Sequence, residues 1–197
     1  ASFALWIRGE FFSSFEIPLY GKHMVLDAVA AILVAKELGV EPSLMQEVLR
    51  EFHPAKRRFA IEEVGNTVLI DDYAHHPTEI RVTLEAVRQK YPHKKLAVVF
   101  KPNTYSRTKD FYVAFAEALN TADHCFSTEI DCNRERQEDY PGVSSKLILD
   151  LLTSGEMIDE ASVSKLLKYQ GEVICFMSCA SIEHMRKEII HLLSVKS

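Results

Sequence analysis

The chain has 197 residues, of which 47% are hydrophobic and 26% charged, with a formal net charge of −5. That length suits one large domain or a domain joined to part of another, and the composition is that of a globular chain able to bury a core. The acidic balance argues against nucleic acid or an anionic membrane as a partner, and no apolar run reaches the roughly 20 residues needed to cross a bilayer. Residues 1–10 lack the basic and apolar regions of a signal peptide and carry no initiator Met. Cys125, Cys132, Cys175 and Cys179 form no C-x-x-C pair, which points to thiols in a reducing cytoplasm.

The first elements read as a β-hairpin, "SFALWIR" and "FFSSFEIPL", turning at Gly9-Glu10. "MVLDAVAAILVAKEL" is apolar around most of its circumference, which predicts a well-buried helix ended by Gly39. "EPSLMQEVLREF" predicts a second helix, with Pro42 near its first turn. His53-Pro54 closes this unit, and residues 54–58 read as a linker, with the Lys56-Arg57-Arg58 run a solvated one as far as Arg57 is concerned.

Beyond the linker the pattern changes. "FAIEEV" and "TVLIDD" flank Gly65-Asn66 as a second hairpin, followed by a helix from "PTEIRVTLEAVRQKY". The strand "KLAVVF", the helix "KDFYVAFAEALN" and the short strand "HCFST" come next. "SSKLILDLLTSG" and "SVSKLLKYQ" predict helices, "EVICFM" the last strand and "SIEHMRKEIIHLL" the closing helix. Continuous apolar strands alternating with amphipathic helices predict an α/β, Rossmann-like, mostly parallel sheet with helices on both faces, preceded by a hairpin-plus-two-helix unit.

Open α/β sheets bind ligands beyond the carboxyl ends of their strands. After "TVLI" come Asp71, Asp72, Tyr73, His75 and His76; after "LAVVF" come Lys101, Asn103, Tyr105, Ser106 and Arg107; after "HCFST" come Glu129, Asp131, Arg134 and Glu135. The last strand runs into "SCAS", small residues placed to open a helix and offer backbone N–H groups to an anion. Four polar strand ends on one predicted edge point to a polyanionic or zwitterionic ligand. The acids and imidazoles of residues 71–76 could alternatively hold a metal, although the turn at Pro77 should aim the two histidines apart, and no metal site is assigned. No glycine-rich phosphate cradle occurs, so a nucleotide site would have to be shared with other polypeptide.

"RRFAIEEVGNTVLIDDYAHHPTEIRVTLEAVRQKYP", "VVFKPNTYSRTKDFYVAFAEALNTAD" and the Arg134-Glu135 and Pro141-Gly142-Val143-Ser144-Ser145 spacing resemble the Mur ligase family, over nearly the whole chain. The nearest likeness is to members that join L-alanine to UDP-N-acetylmuramate in peptidoglycan precursor synthesis. The resemblance implies that residues 1–54 are the tail of a central ATP-binding domain and residues 55–197 a Rossmann-like C-terminal domain, with a P-loop and Mg²⁺ ligands lying elsewhere. It implies ATP and Mg²⁺ as cofactors, and UDP-N-acetylmuramate and L-alanine as substrates. By position it puts Arg58, Asp72 and His23 on the nucleotide, and His75, His76 and Arg107 around the alanine and the acyl phosphate. Tyr73, Asn103, Ser178 and Ser181 fall at substrate positions. Three departures stand out: Met24 where the family has an adenine-binding asparagine, Asn103 in place of a histidine, and "SCAS" in place of Gly-Ala-Gly-Asp. Alone, the chain is expected to be inactive and open to self-association through apolar surface on residues 1–54; a non-catalytic binding module is the alternative.

Overall fold

The computed structural model describes residues 1–195. Their backbone divides into two compact units, Ala1–Ala55 with Glu85–Lys90, and Lys56–Leu84 with the residues from Tyr91 onward.

In the first unit, β1 (Ser2–Ile7) and β2 (Glu10–Glu16) pair antiparallel. Arg8 and Gly9 form their turn, with φ of 54° and 88°. Two successive left-handed residues are what a two-residue hairpin needs to match strand twist, so the turn sits one residue earlier than Gly9-Glu10. Inward-facing Phe3 stacks on Phe15 with ring centroids 5.8 Å apart, and Phe15 joins Ile32 and Met45 in a small core. Ile32 belongs to α1 (Lys22–Glu37) and Met45 to α2 (Pro42–Arg50), where Pro42 occupies the first turn as expected. The expectation of a well-buried first helix is corrected: only Ala28 and Ile32 of α1 are buried, and its opposite apolar side faces solvent.

The second unit is a six-stranded sheet in the order β3-β4-β8-β5-β6-β7. β3 (Ala60–Val64) is the antiparallel edge; β4 (Thr67–Asp72), β5 (Leu96–Phe100), β6 (His124–Ser127), β7 (Gly155–Met157) and β8 (Val173–Met177) run parallel. The parallel strands β4, β5 and β8 are buried along their whole length, which is why they read as unbroken apolar runs. α3 (Pro77–Lys90, as far as Leu84), α4 (Tyr105–Leu119), the single-turn α5 (Lys146–Leu149) and α6 (Glu183–Val195) complete the unit with a 3-10 helix over Glu160–Tyr169. Leu69, Val99, Phe126, Ile174 and Phe176 pack on one face with Val163, Leu166, Met185 and Ile189 of the 3-10 helix and α6. Because successive residues alternate faces, Ile70, Val98 and Cys175 point the other way.

Two sequence expectations fail in one stretch. Residues 144–155 form one helical turn and then β7, not a single helix, and the helix expected from "SVSKLLKYQ" is 3-10, started by an Asp159–Ser162 capping box. β7 opens on a glycine where a Cβ would lie 2.7 Å from Leu152 Cδ1 and 3.2 Å from the Cys125 carbonyl oxygen.

Parallel pairing brings the carboxyl ends of β4, β5, β6, β7 and β8 to one lip of the sheet. The chain runs outward from β4 through β5 and β6 to β7, then returns to lay β8 between β4 and β5. That reversal is the topological switch where open sheets leave a crevice. Backbone bonds close the strand ends there: Ser178 N donates to Asp72 O at 3.2 Å and Lys101 N to Met177 O at 3.1 Å.

Candidate functional site

The end of β4 is held by the segment preceding β3. Arg57 Nε donates to Asp71 Oδ1 at 3.3 Å and its Nη2 to the Ser178 carbonyl at 2.5 Å, joining the ends of β4 and β8. Asp71 is 5% exposed, so this guanidinium is its countercharge. Arg57 is therefore no solvated linker residue, which corrects the sequence reading; a basic run gives no sign of which side chain folds inward. Arg57 and Phe59 both adopt left-handed backbone, φ 61° and 53°. Such a conformation costs a non-glycine residue roughly 1–2 kcal/mol, so something must hold it. The holding bonds are Tyr73 N to Arg57 O at 2.8 Å and Phe59 N to Asp72 Oδ2 at 2.8 Å. Between the two strained residues, Arg58 is exposed and sets its guanidinium 5.2 Å from the centre of the Tyr73 ring.

Asp72 is 6% exposed. Besides Phe59 it accepts from Ala74 N at 2.8 Å and Thr83 Oγ1 at 3.3 Å, both on Oδ1. Burial raises its carboxyl above the usual range, only partly offset by those amide donors, Arg58 and Thr83. In this geometry Asp72 anchors the loop, and only Oδ2 keeps acceptor capacity for an outside hydroxyl.

The turn that follows explains its own crowding of ionisable groups. Glu79 Oε2 accepts from His75 N and His76 N, each at 3.0 Å, the capping-box arrangement at the start of α3. His75 Nδ1 lies 2.9 Å from Tyr73 O, and its ring meets the Tyr73 ring edge-on at 5.3 Å. His76 turns to different partners, accepting from Thr78 N at 3.3 Å and packing edge-on to Phe111 at 5.2 Å. Among the described residues no group of three or more His, Cys, Asp or Glu side chains is arranged to hold a metal ion.

At the end of β5, Lys101 Nζ pairs with Asp131 at 2.7 Å and donates to the Ser181 carbonyl at 2.9 Å. Asn103 Nδ2 donates to Asp131 O at 3.2 Å. Thr104 caps α4, and Glu135 reaches the same helix start, accepting from Ser106 N at 3.0 Å and from the Ser106 hydroxyl. Although burial opposes it, the Ser106 bonds leave the Glu135 carboxyl below its usual range. The α4 N-terminus, an obvious anion site, is thus filled by the chain's own carboxylate. Arg107 projects from the first turn of α4 back to the turn after β4, where Nη1 donates to His75 O at 3.4 Å. Burial raises the Cys179 thiol, while the Arg107 and Arg57 guanidinium groups pull it back.

Ser178 is fully buried, its hydroxyl donating to Lys101 O at 3.0 Å and accepting from Ala180 N at 3.0 Å. It is a strut between β5 and β8, not a group facing a ligand. "SCAS" does not open a helix either, since α6 begins at Glu183. Ser181 remains at the surface, on the wall of a cavity of about 820 Å³ shared with Lys101, Asp131, Met157, Asp159 and Lys165. Sequence reasoning missed the 157–165 wall because β7 was not foreseen. His23 lies in the first unit at the start of α1, its Nδ1 enclosed and, among the described residues, without a hydrogen-bond partner. The second unit therefore gathers Arg58, Asp72, Tyr73, His75 and Arg107 around the β4 and β8 ends. Asn103 and Ser181 stand beside β5, and His76 turns toward α4.

Residues 57–179 match the family described as Mur ligase, glutamate ligase domain, which is more than half the chain. The chain belongs to the Mur ligase family. It is 43% identical over 189 residues to the UDP-N-acetylmuramate–L-alanine ligase of Lactiplantibacillus plantarum, covering 95% of this chain and 43% of that protein. It is 40% identical over 183 residues to the same-named ligase of Lactobacillus delbrueckii subsp. bulgaricus, covering 92% and 41%. Among solved structures, the UDP-N-acetylmuramate–alanine ligase MurC of Thermotoga maritima superposes with a TM-score of 0.75 at 26% identity, over 96% of this chain and 42% of that one. This Mur ligase chain thus spans about two-fifths of the length of the curated relatives it matches, corresponding to their carboxy-terminal part. The α/β sheet preceded by a hairpin and two helices is the architecture the sequence led us to expect.

Proposed function

We propose that this chain is the carboxy-terminal part of a cytoplasmic ATP-dependent ligase that joins L-alanine to UDP-N-acetylmuramate in peptidoglycan precursor synthesis. Residues 1–54 would belong to the ATP-binding central domain of such an enzyme, and residues 55–197 to its terminal domain. The observation that carries the reading is the pair of guanidinium groups on one lip of the second unit. Arg58 is exposed over Tyr73, and the Arg107 guanidinium, which also helps to lower the Glu135 carboxyl, donates a long hydrogen bond to His75 O.

ATP, held with Mg²⁺ by polypeptide bearing a phosphate cradle, supplies the phosphoryl group that activates the muramate carboxylate. The present residues fit the anionic side of that chemistry. Arg58 is solvent-accessible and fixed in direction by its left-handed neighbours, so it suits phosphoryl oxygens. Arg107 offers a planar fork for the alanine carboxylate or the acyl phosphate. His75 and His76 frame the same turn, and His75, tethered to the Tyr73 carbonyl, is placed to take a proton from the attacking amine. Tyr73 carries Arg58, while Asn103 and Ser181 border the amino-acid side. Asp72 would reach a ribose hydroxyl only through Oδ2. No residue of this set acts as a covalent nucleophile; positioning and charge stabilisation do the work.

The direct test grafts this chain onto the remainder of the Lactiplantibacillus plantarum ligase, in place of the matched region. Alanine-dependent phosphate release from ATP and UDP-N-acetylmuramate supports the reading, and the 197-residue chain alone should release none. A soluble, ATP-binding graft that shows no alanine-dependent turnover would favour the non-catalytic module instead, a reading to which Met24 and the buried Ser178 lend weight.

A further inference from the structure

A single ammonium group ties three strand ends together on the lip of the second unit. Lys101 leaves β5, which lies between β8 and β6, and its Nζ donates to the Ser181 carbonyl at 2.9 Å and pairs with Asp131 at 2.7 Å. Ser181 follows β8 and Asp131 follows β6, so this side chain joins both loops. The Lys101 backbone is itself fixed, with N donating to Met177 O at 3.1 Å and O accepting from the Ser178 hydroxyl at 3.0 Å. Asp131 is held too: its N donates to Pro102 O at 3.1 Å, and its O accepts from Asn103 Nδ2 at 3.2 Å. Although it carries a charge, the Lys101 side chain is only 19% exposed.

Lys101, Asp131 and Ser181 line the cavity of about 820 Å³, whose wall also includes the buried apolar side chains Ile130, Ile158, Ile182 and Met185. A space of that size takes a whole small molecule, whereas the side chain of alanine is one methyl group. Apolar pockets discriminate only weakly between side chains that differ by a methylene. A ligase with this space open beside its amino-acid site would therefore accept larger residues. What stands in the space is the chain's own cation. Cutting Lys101 back to Ala removes the equivalent of a propylammonium group and takes that cation away from Asp131.

We propose that Lys101 is a specificity-determining residue. Its ammonium occupies the position between Asp131 and the Ser181 carbonyl that the side-chain amine of a longer amino acid would take, and so confines the site to a small one. The role rests on the ligase reading, with Asn103 and Ser181 at its amino-acid side.

Two measurements test it. In the 197-residue chain carrying Lys101→Ala, n-propylammonium at about 50 millimolar should shift the methyl resonances of Met157 and Met185, which line the cavity, and should leave those of the parent chain in place. In the graft with the Lactiplantibacillus plantarum ligase, Lys101→Ala should raise the kcat/KM ratio of L-ornithine to L-alanine at least about tenfold. The gain for L-norvaline, which has the same carbon chain without the amine, should be smaller, and adding Asp131→Ala should remove the advantage of ornithine over norvaline. Lys101→Arg, which keeps a cation at Asp131, should hold the parent ratio. An unchanged ornithine ratio in a Lys101→Ala graft with native circular dichroism overturns the proposal. So do unmoved methionine resonances, or a Lys101→Arg graft as permissive as Lys101→Ala. A parent graft without alanine turnover would instead sink the ligase reading, and the specificity role with it.

Discussion

The Asp72 carboxylate accepts the Phe59 amide at 2.8 Å, and Phe59 is one of the two left-handed residues flanking Arg58. A buried acid at the end of β4 therefore fixes the direction of an exposed arginine on the segment before β3. Asp72→Ala would leave the Phe59 and Ala74 amides and the Thr83 hydroxyl without their acceptor. The expected loss is about 2–3 kcal/mol, since buried unsatisfied donors bear their full desolvation cost. Urea denaturation of the chain measures it; an unchanged midpoint would mean that Asp72 is not an anchor.

Two carboxyls should titrate stability in opposite senses. Burial holds the folded Asp72 carboxyl above its ordinary range, so the folded state binds more protons across that window, and its contribution declines as pH rises through it. The Ser106 bonds hold the Glu135 carboxyl below its ordinary value, so its contribution is present above that ordinary value and is lost as pH falls through the lower, folded one. Denaturation midpoints against pH for Asp72→Asn and Glu135→Gln should diverge from the parent in opposite directions.

Arg57→Ala leaves Asp71 buried without its countercharge and unties the β4 and β8 ends. A loss of about 2–4 kcal/mol is expected, and Arg57→Lys, without the two-armed reach, should recover only part of it. Removing Asp71 as well should cost less than the sum of the single changes, by about 1 kcal/mol or more. Strict additivity would show that the pair contributes nothing of its own.

Arg8→Asn should stabilise the first hairpin by about 0.5–1 kcal/mol, because Asn adopts the left-handed conformation that Arg8, at φ 54°, is made to hold ahead of Gly9. Thermal melting reports the change.

The thiols report on the fold of the second unit. Cys125 and Cys175 are fully buried, and burial pushes the Cys125 thiol up to about 12 and that of Cys175 well up. A neutral-pH thiol reagent should therefore leave both untouched until the chain unfolds, while the half-buried Cys132 and Cys179 react in the folded state.

The sheet was legible because buried parallel strands advertise themselves: "TVLI", "LAVVF" and "EVICFM" could hardly be anything else between amphipathic helices. The crowded lip was legible for the same reason, since whatever follows those runs must emerge on one edge. Arg57 was not, because an inward guanidinium is chosen by the burial of Asp71, a tertiary fact that a Lys-Arg-Arg run does not encode. β7 escaped because a three-residue strand containing Glu156 has no periodicity to read. Ser178 looked available because small residues suggest an open loop; its strut role emerges only when β5 and β8 are side by side. In α1 the apolar pattern suggested a well-buried helix, but apolar composition does not say how many sides find a partner, and only Ala28 and Ile32 are buried.

Arg107→Ala in the graft with the Lactiplantibacillus plantarum ligase tests the central claim most directly. If the groups of the β4, β5 and β8 ends serve amide formation, kcat/KM for alanine should drop at least about a hundredfold, with ATP binding retained. Unaltered alanine kinetics in the Arg107→Ala graft would contradict the account.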